Sequence, residues 1–326
     1  MEETNTTELP LNNLTFGYEV YEEAIKNECF RRYYALRVFL GICMAISLCG
    51  LVGNGTVVWF LGFHMKQNRF TVYILNLAVA DFSLLLLFFL LVLANLSFIA
   101  FCPYLYNFFN IYSVFYFVVV FLSHFFDLSS LSLLTAISVE RCLSVLFPIW
   151  YRCHRPKHLS AIVSGVLWAL AGFFVSSMYL TLSFVKSSEF AGVAIAISSI
   201  LSLMMLISNL CLFVKLRCGS QRRRLGKLYV AVLLNVIFFF AFGIPFGVNV
   251  FVNLPSSGQL LPENTYLLLA LLNSSINPVI YFLVGSCRQR RFQVSVKVAF
   301  RQVFEEKAMS EEGSHVPGDI AVETTV

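Results

Sequence analysis

Seven long apolar runs, parted by short polar links, order this chain. They cover roughly residues 34–62, 70–98, 107–141, 158–183, 190–217, 226–254 and 263–284. A helix rising 1.5 Å per residue needs about 20 residues to cross the hydrocarbon core of a membrane, and each run meets that length. Lipid offers no water to open backbone groups, so only helices or a closed barrel can span it. Apolar runs this long read as helices, and the expected fold class is an all-α membrane protein, a seven-transmembrane helix bundle. The boundary between the fourth and fifth runs is the least marked, because little polar sequence separates them. After Gly285 the pattern changes: Phe292, Val296, Ala299, Phe300, Val303 and Phe304 recur at helical spacing, with Arg288, Arg290, Arg291, Lys297 and Arg301 between them. That pattern predicts an amphipathic helix on the inner membrane surface. The organisation expected is a tail over 1–33, the bundle over 34–284, an amphipathic helix over 285–307 and a polar, disordered tail over 308–326.

Charge in the links sets an expected orientation. Lys66 and Arg69 lie after the first run, Arg152, Arg155 and Lys157 after the third, and Arg217, Arg222, Arg223 and Arg224 after the fifth. The links on the other side, near 99–106, 184–189 and 255–262, hold one Lys and no Arg. Basic links stay in the cytoplasm, so the N-terminus is expected outside and the C-terminus inside, in a multi-pass protein of the plasma membrane. Residues 1–33 lack the apolar core of a secretory signal, so the first helix is expected to insert itself. Asn5-Thr6-Thr7 and Asn13-Leu14-Thr15 are two acceptor patterns for N-linked sugar in that tail, short enough also to arise by chance.

Composition narrows the function classes. Hydrophobic residues make up 58% of the chain and charged residues 13%, against roughly a quarter charged in soluble domains. The net charge of +5 is spread over short links and carries no nucleic-acid signal. No repeat of fixed period is present, which weighs against a transporter, whose site commonly lies between repeats. Residues 264–284 hold no Lys, as a retinal-type pump would require. No catalytic constellation is read, and the chain is not expected to be an enzyme.

Polar side chains inside a membrane are costly, so each is a candidate site. Asp81 lies in the second run, Asn54 in the first, Ser130 in the third, and Asn273, Ser274 and Asn277 share one face of the seventh. In the third run, Asp127 sits fourteen residues before Arg141, about 21 Å along the axis. It either receives a cationic ligand group, or it is neutral or paired with His124 at i, i+3. Tyr116 and Tyr179 either line a ligand pocket or belong to the aromatic belt of a membrane interface. Glu140 and Arg141 end the third run, where two readings stand: interfacial charges snorkelling to water, or a functional acid–base pair.

The segment Leu131–Pro156 decides between those two. Its Glu140-Arg141-Cys142, followed by Leu-Ser-Val-Leu-Phe-Pro-Ile-Trp-Tyr-Arg-Cys-His-Arg-Pro, resembles the Mas-related G-protein-coupled receptors. The resemblance covers about 50–305 and is weakest in the N-terminal tail and the fifth run. It implies a receptor that binds an extracellular peptide or small-amine agonist and activates a heterotrimeric G protein by a conformational switch. Glu140 would hold Arg141 at rest. Asn277-Pro278-Val279-Ile280-Tyr281 matches the switch of the seventh helix, and Pro245 the hinge of the sixth. In the wider superfamily, positions matching Asp81, Ser130, Asn273, Ser274 and Asn277 form a sodium pocket. Their oxygen ligands suit a hard cation, and the plainer reading is a hydrated network without an ion. No other cofactor is implied.

The chain departs from the superfamily pattern in three places. Gly243 stands where a tryptophan is usual, and the fifth run has neither proline nor tyrosine. The top of the third run and 184–189 lack the usual cysteines. Cys29 and Cys102 are the cysteines expected outside, and are expected to pair. Glu323-Thr324-Thr325-Val326 resembles a ligand for PDZ-type domains that capture a free C-terminus, through Thr324 and Val326. The alternatives to a receptor are a non-signalling seven-helix scaffold and, with less support, a channel or transporter.

Overall fold

The computed structural model describes residues 12–65, 67–101, 109–156, 158–182, 188–218, 227–244, 263–286 and 296–304, with no side chains before residue 34 and with some side chains near helix ends also outside the description. Every regular element among them is helical. In chain order they are α1 (Asn12–Trp59, running into a π turn at Phe60–His64), α2 (Thr71–Phe101), α3 (Phe109–Leu146), α4 (Pro148–Cys153), α5 (Leu159–Leu182), α6 (Ser188–Cys218), α7 (Lys227–Phe238, running into a π turn at Phe239–Gly243), α8 (Glu263–Ser286) and α9 (Val296–Phe304). Six of these carry stretches long and apolar enough to cross a membrane: 34–64, 71–97, 111–146, 159–180, 195–215 and 267–286. The expected run over 226–254 is described only as far as residue 244, as the shorter apolar helix 227–243. Helix α1 begins at Asn12, inside the stretch read from sequence as a tail.

Helix α3 is the axis of the bundle. It packs against α2, α5 and α6, while α1 bridges α2 and α8, and α7 and α9 both lie on α8. Two apolar cores result. One, at the Arg141 end, joins Tyr73, Ile74, Leu133, Ile137, Tyr281 and Phe300. The other, toward the far end, joins Leu40, Leu85, Phe88, Val119 and Leu271. Large apolar side chains also face outward, such as Val52, Phe63 and Phe173 at 71%, 80% and 75% exposure. Water would penalise them and hydrocarbon does not, as expected of a bundle solvated by lipid.

Local capping positions the Arg141 end. The side chain of Asn68 accepts from the backbone N–H of Phe70 at 2.9 Å and of Thr71 at 3.0 Å, which satisfies orphan donors at the start of α2 and fixes the turn that carries Arg69 and Phe70. Pro148 occupies the first turn of α4, where its missing N–H costs nothing, and so sets the short helix that presents Tyr151. Of the stretch expected to be amphipathic over 285–307, residues 285 and 286 end α8, Val296–Phe304 form α9, and the others lie outside the described residues. Its apolar face is turned onto the bundle: Phe300 meets Phe60 at 5.8 Å between ring centroids and Phe304 meets Tyr281 at 5.5 Å.

Candidate functional site

Three groups of polar residues run down the middle of the bundle, and the helices already described bring them together. Midway lies Asp81, wholly buried on α2. Ser130 on α3 donates to one carboxylate oxygen at 2.8 Å, and Asn277 on α8 donates to the other at 2.6 Å. Ser274 holds this cluster to α1, because its carbonyl accepts from Asn54 at 3.0 Å. The hydroxyl of Ser274 reaches toward the Asp81 carboxylate, and the amide oxygen of Asn54 is buried with no hydrogen-bond partner, so oxygens surround the carboxylate. Asn273 points elsewhere. With Asp127, Ser130, Asn235 and Asn277 it lines a small polar cavity of about 10 Å³. Of the five oxygen donors singled out from sequence, three meet directly, Ser274 lies beside them, and Asn273 borders the adjoining space. In kind, these oxygens fit a hard monovalent cation.

Above this cluster is a larger cavity of about 340 Å³. Asp127 and Leu131 of α3, Ser198, Ser199 and Ser202 of α6 and Gly243 of α7 form part of its wall. The π turn at Phe239–Gly243 opens the helical ladder here and turns Phe239, Phe240 and Gly243 toward the space, in keeping with the use of such turns at functional sites. Gly243 matters through its missing side chain. A Cβ there would come within 2.6 Å of the Phe239 ring and 3.3 Å of the Asn273 side-chain oxygen. Asp127 makes no hydrogen bond and no ion pair with any described residue. It does not pair with His124, whose Nδ1 lies 2.7 Å from the Val120 carbonyl and 3.2 Å from the Tyr179 hydroxyl.

The ligand residues expected from sequence thus separate into three places. Asp127 is in the cavity wall. His124 and Tyr179 form their own contact, packed edge-on with Phe117 and Phe121. Tyr116 is 44% exposed and stacks on Tyr112, whose hydroxyl donates to Asn95 at 2.8 Å. The three serines went unread because single hydroxyls inside an apolar run carry no period of their own.

At the end of α3, Glu140 and Arg141 are both buried, which removes the snorkelling reading. They also turn apart. Glu140 forms an ion pair with Arg155 and accepts from Tyr73 at 3.1 Å and Tyr151 at 3.0 Å. Arg155 donates in turn to Ser160 at 2.6 Å, and Ser160 to the Arg69 carbonyl at 2.6 Å. Arg69 closes the ring by donating to the Tyr151 carbonyl at 2.8 Å. Burial, and then the Glu140 charge, push the Tyr151 phenol well above its ordinary range, so it remains a donor. Burial pulls the Arg155 guanidinium down, and its bond to Glu140 more than reverses this. Arg141 lies over the Phe70 ring, 3.5 Å from its centroid. The expectation that Glu140 grips Arg141 is therefore corrected: the ion pair it makes is with Arg155, supplied by the link after α4, and an aromatic face meets Arg141.

Pro278 lies inside α8, and one turn on, Tyr281 is buried. Its hydroxyl accepts from Asn235 of α7 at 3.1 Å. Lys227 donates to the Gly285 carbonyl at 3.0 Å and joins the same two helices nearer the Arg141 end. Asn235 was not singled out from sequence; one amide in an apolar helix gives no signal until its partner is known. Asn5, Cys102, Pro245, Thr324 and Val326, and the side chains of Asn13 and Cys29, lie outside the described residues.

Comparison with known proteins agrees with this geometry. The profile of the 7 transmembrane receptor (rhodopsin family) matches residues 53–190. The chain is 40% identical to human Mas-related G-protein coupled receptor member X1 over 309 residues, 90% of each chain. It is 38% identical to the rat Proto-oncogene Mas over 302 residues, 87% of this chain and 89% of that one. It is 40% identical to Mas-related G-protein coupled receptor member D of Macaca fascicularis over 295 residues, 86% of this chain and 88% of that one. With relatives this similar along nearly its whole length, the chain belongs to the family of Mas-related G-protein-coupled receptors.

Proposed function

We propose that this receptor sits in the plasma membrane with its N-terminus outside, takes an agonist with a positively charged group against Asp127, and engages a heterotrimeric G protein at the Arg141 end. One observation carries the ligand reading: a carboxylate without hydrogen bond or ion pair among the described residues, in the wall of a 340 Å³ cavity. An unpaired carboxylate partly withdrawn from solvent and facing a mostly apolar cavity is costly, and a cationic group would relieve that cost in the bound state alone.

The route to the switch is short. Asp127, Leu131 and Phe239 line both cavities, so they form the partition between ligand space and inner polar space. An agonist that moves Phe239 moves α7, on which Asn235 holds Tyr281. Binding then favours the arrangement in which α7 swings out and a cleft opens beside Arg141, to the extent that the agonist prefers that arrangement. The residues around Asp81 would hold a sodium ion in the resting form; the ion would add charge balance at the carboxylate, and the protein's oxygens would orient it. Further expectations are sugar on Asn5 and Asn13, a Cys29–Cys102 disulfide, and capture of Thr324 and Val326 by a PDZ-type domain.

The test is guanine-nucleotide exchange on purified G protein with the full receptor in lipid discs, using a panel of cationic peptides and small amines. Agonists active on the native chain should lose at least tenfold in potency on Asp127→Asn at equal surface expression. Unchanged potency would remove Asp127 from the site. Exchange that no ligand accelerates would favour the scaffold reading.

A further inference from the structure

Glu140 is committed away from its neighbour, to Arg155, Tyr73 and Tyr151. What meets Arg141 is a ring. The guanidinium carbon lies 3.5 Å from the centroid of Phe70, which is van der Waals contact. Phe70 is 5% exposed, so water does not reach between them. Attraction between a cation and an aromatic face is strongest where both are desolvated. The same device recurs beside it: Arg69 and Arg155 lie over the Tyr151 ring at 5.3 and 5.2 Å.

The Phe70 ring is itself held in place. It packs almost parallel to Tyr151, with 6.0 Å between centroids and 19° between planes. Its backbone N–H is tied to the Asn68 side chain, and Asn68 donates through Nδ2 to the Phe304 carbonyl of α9 at 3.3 Å. Phe304 is the residue whose ring meets Tyr281. Phe70 thus stands between Arg141 and the helix that rests on Tyr281. A leucine could fill the same space, but it has no negative face to offer a cation.

We infer that Phe70 is a positioning residue for G-protein coupling: its ring holds Arg141 in the resting arrangement, where a carboxylate would be expected, and releases it when the G protein docks. This rests on the reading that the G protein engages the Arg141 end, and it adds the group that withholds Arg141 until then. A ring grips a guanidinium less firmly than a buried carboxylate does, so a docking partner can break the hold.

A fluorination series tests this. Phenylalanine carrying one, two or three ring fluorines is placed at position 70 by nonsense suppression, in the full chain in lipid discs with purified G protein. Each fluorine drains the ring face and leaves the shape of the ring nearly unchanged. Agonist-free nucleotide exchange should rise about twofold per fluorine, and about tenfold for Phe70→Leu. Phe70→Trp, which offers the strongest face, should not exceed the native rate. In melting of the same discs, Phe70→Leu and Arg141→Gln together should cost clearly less than the sum of the two. If Phe70→Leu does not fold, the fluorinated proteins still decide the matter. Additive melting effects would overturn the contact. Exchange that stays flat across the series, at a native rate above that of the G protein alone, overturns the inference and leaves the coupling reading standing. Exchange no faster than the G protein alone, from the native chain and every variant, removes the coupling reading and this inference with it.

Discussion

Asn235 of α7 donates through its Nδ2 to the Tyr281 hydroxyl of α8 at 3.1 Å, with each residue 2% exposed. The amide oxygen of Asn235 is left without a partner beside the small polar cavity. One hydrogen bond thus joins the helix that lines the larger cavity to Tyr281, the tyrosine proposed as the switch. Phe239 stands one turn further along α7, so the cavity wall and this hydrogen bond share a helical face.

Asn235→Leu should raise basal activity. It leaves the buried Tyr281 hydroxyl unpaired, which costs about 1–3 kcal/mol in the arrangement that contains the bond. Each 1.4 kcal/mol is tenfold in a two-state ratio, so agonist-free nucleotide exchange should rise several-fold or more. Tyr281→Phe in the same background should add little, since both remove one bond. Additive effects of the two substitutions would mean that they act separately.

Glu140 and Arg155 should behave as a coupled buried pair. Their side chains are 9% and 1% exposed. Removing one partner leaves a charge buried alone, so Glu140→Ala or Arg155→Ala should each lower stability by about 3–5 kcal/mol. The double variant should cost clearly less than the sum, read from melting in lipid discs. A cycle of Glu140 with Arg141 should show the smaller coupling.

Sodium should stabilise the native receptor through Asp81. Replacing choline chloride by sodium chloride at fixed ionic strength should raise the melting temperature. Asp81→Asn should abolish the rise, because it removes the charge to which Ser130 and Asn277 point. An equal rise in that variant would place any cation elsewhere.

Gly243→Leu should close the ligand cavity. Its side chain would meet the Phe239 ring and Asn273, and overpacking of this kind costs about 1–3 kcal/mol. Agonist-driven exchange should fall with little loss of surface expression.

The helices were readable because hydrocarbon imposes length and composition on anything that crosses it, and the runs over 70–98 and 158–183 agree with α2 and α5 to within a few residues. The Asp81 cluster was readable because a carboxylate and amides at mid-membrane stand out against Leu and Val. Glu140 was noticed and its partner was not: Arg155 comes from a link whose path depends on Pro148 and on contacts to Ser160 and Arg69, and none of these has a period. The pairing of His124 with Tyr179, where Asp127 had been considered, turned on ring rotamers and on how α5 leans over α3. Sequence spacing carries neither.

Gly285 of α8 lies so close to α9 that a Cβ there would run into the Ala299 carbonyl. Main chain rests on main chain, with nothing compressible in between. A twist of α8 near Tyr281 is therefore passed to α9 without slack, as through one cast piece. A partner docking beside Arg141, as proposed, would meet a rim tied to the tyrosine's helix, and a single methyl group inserted at that seam would be enough to put the two out of register.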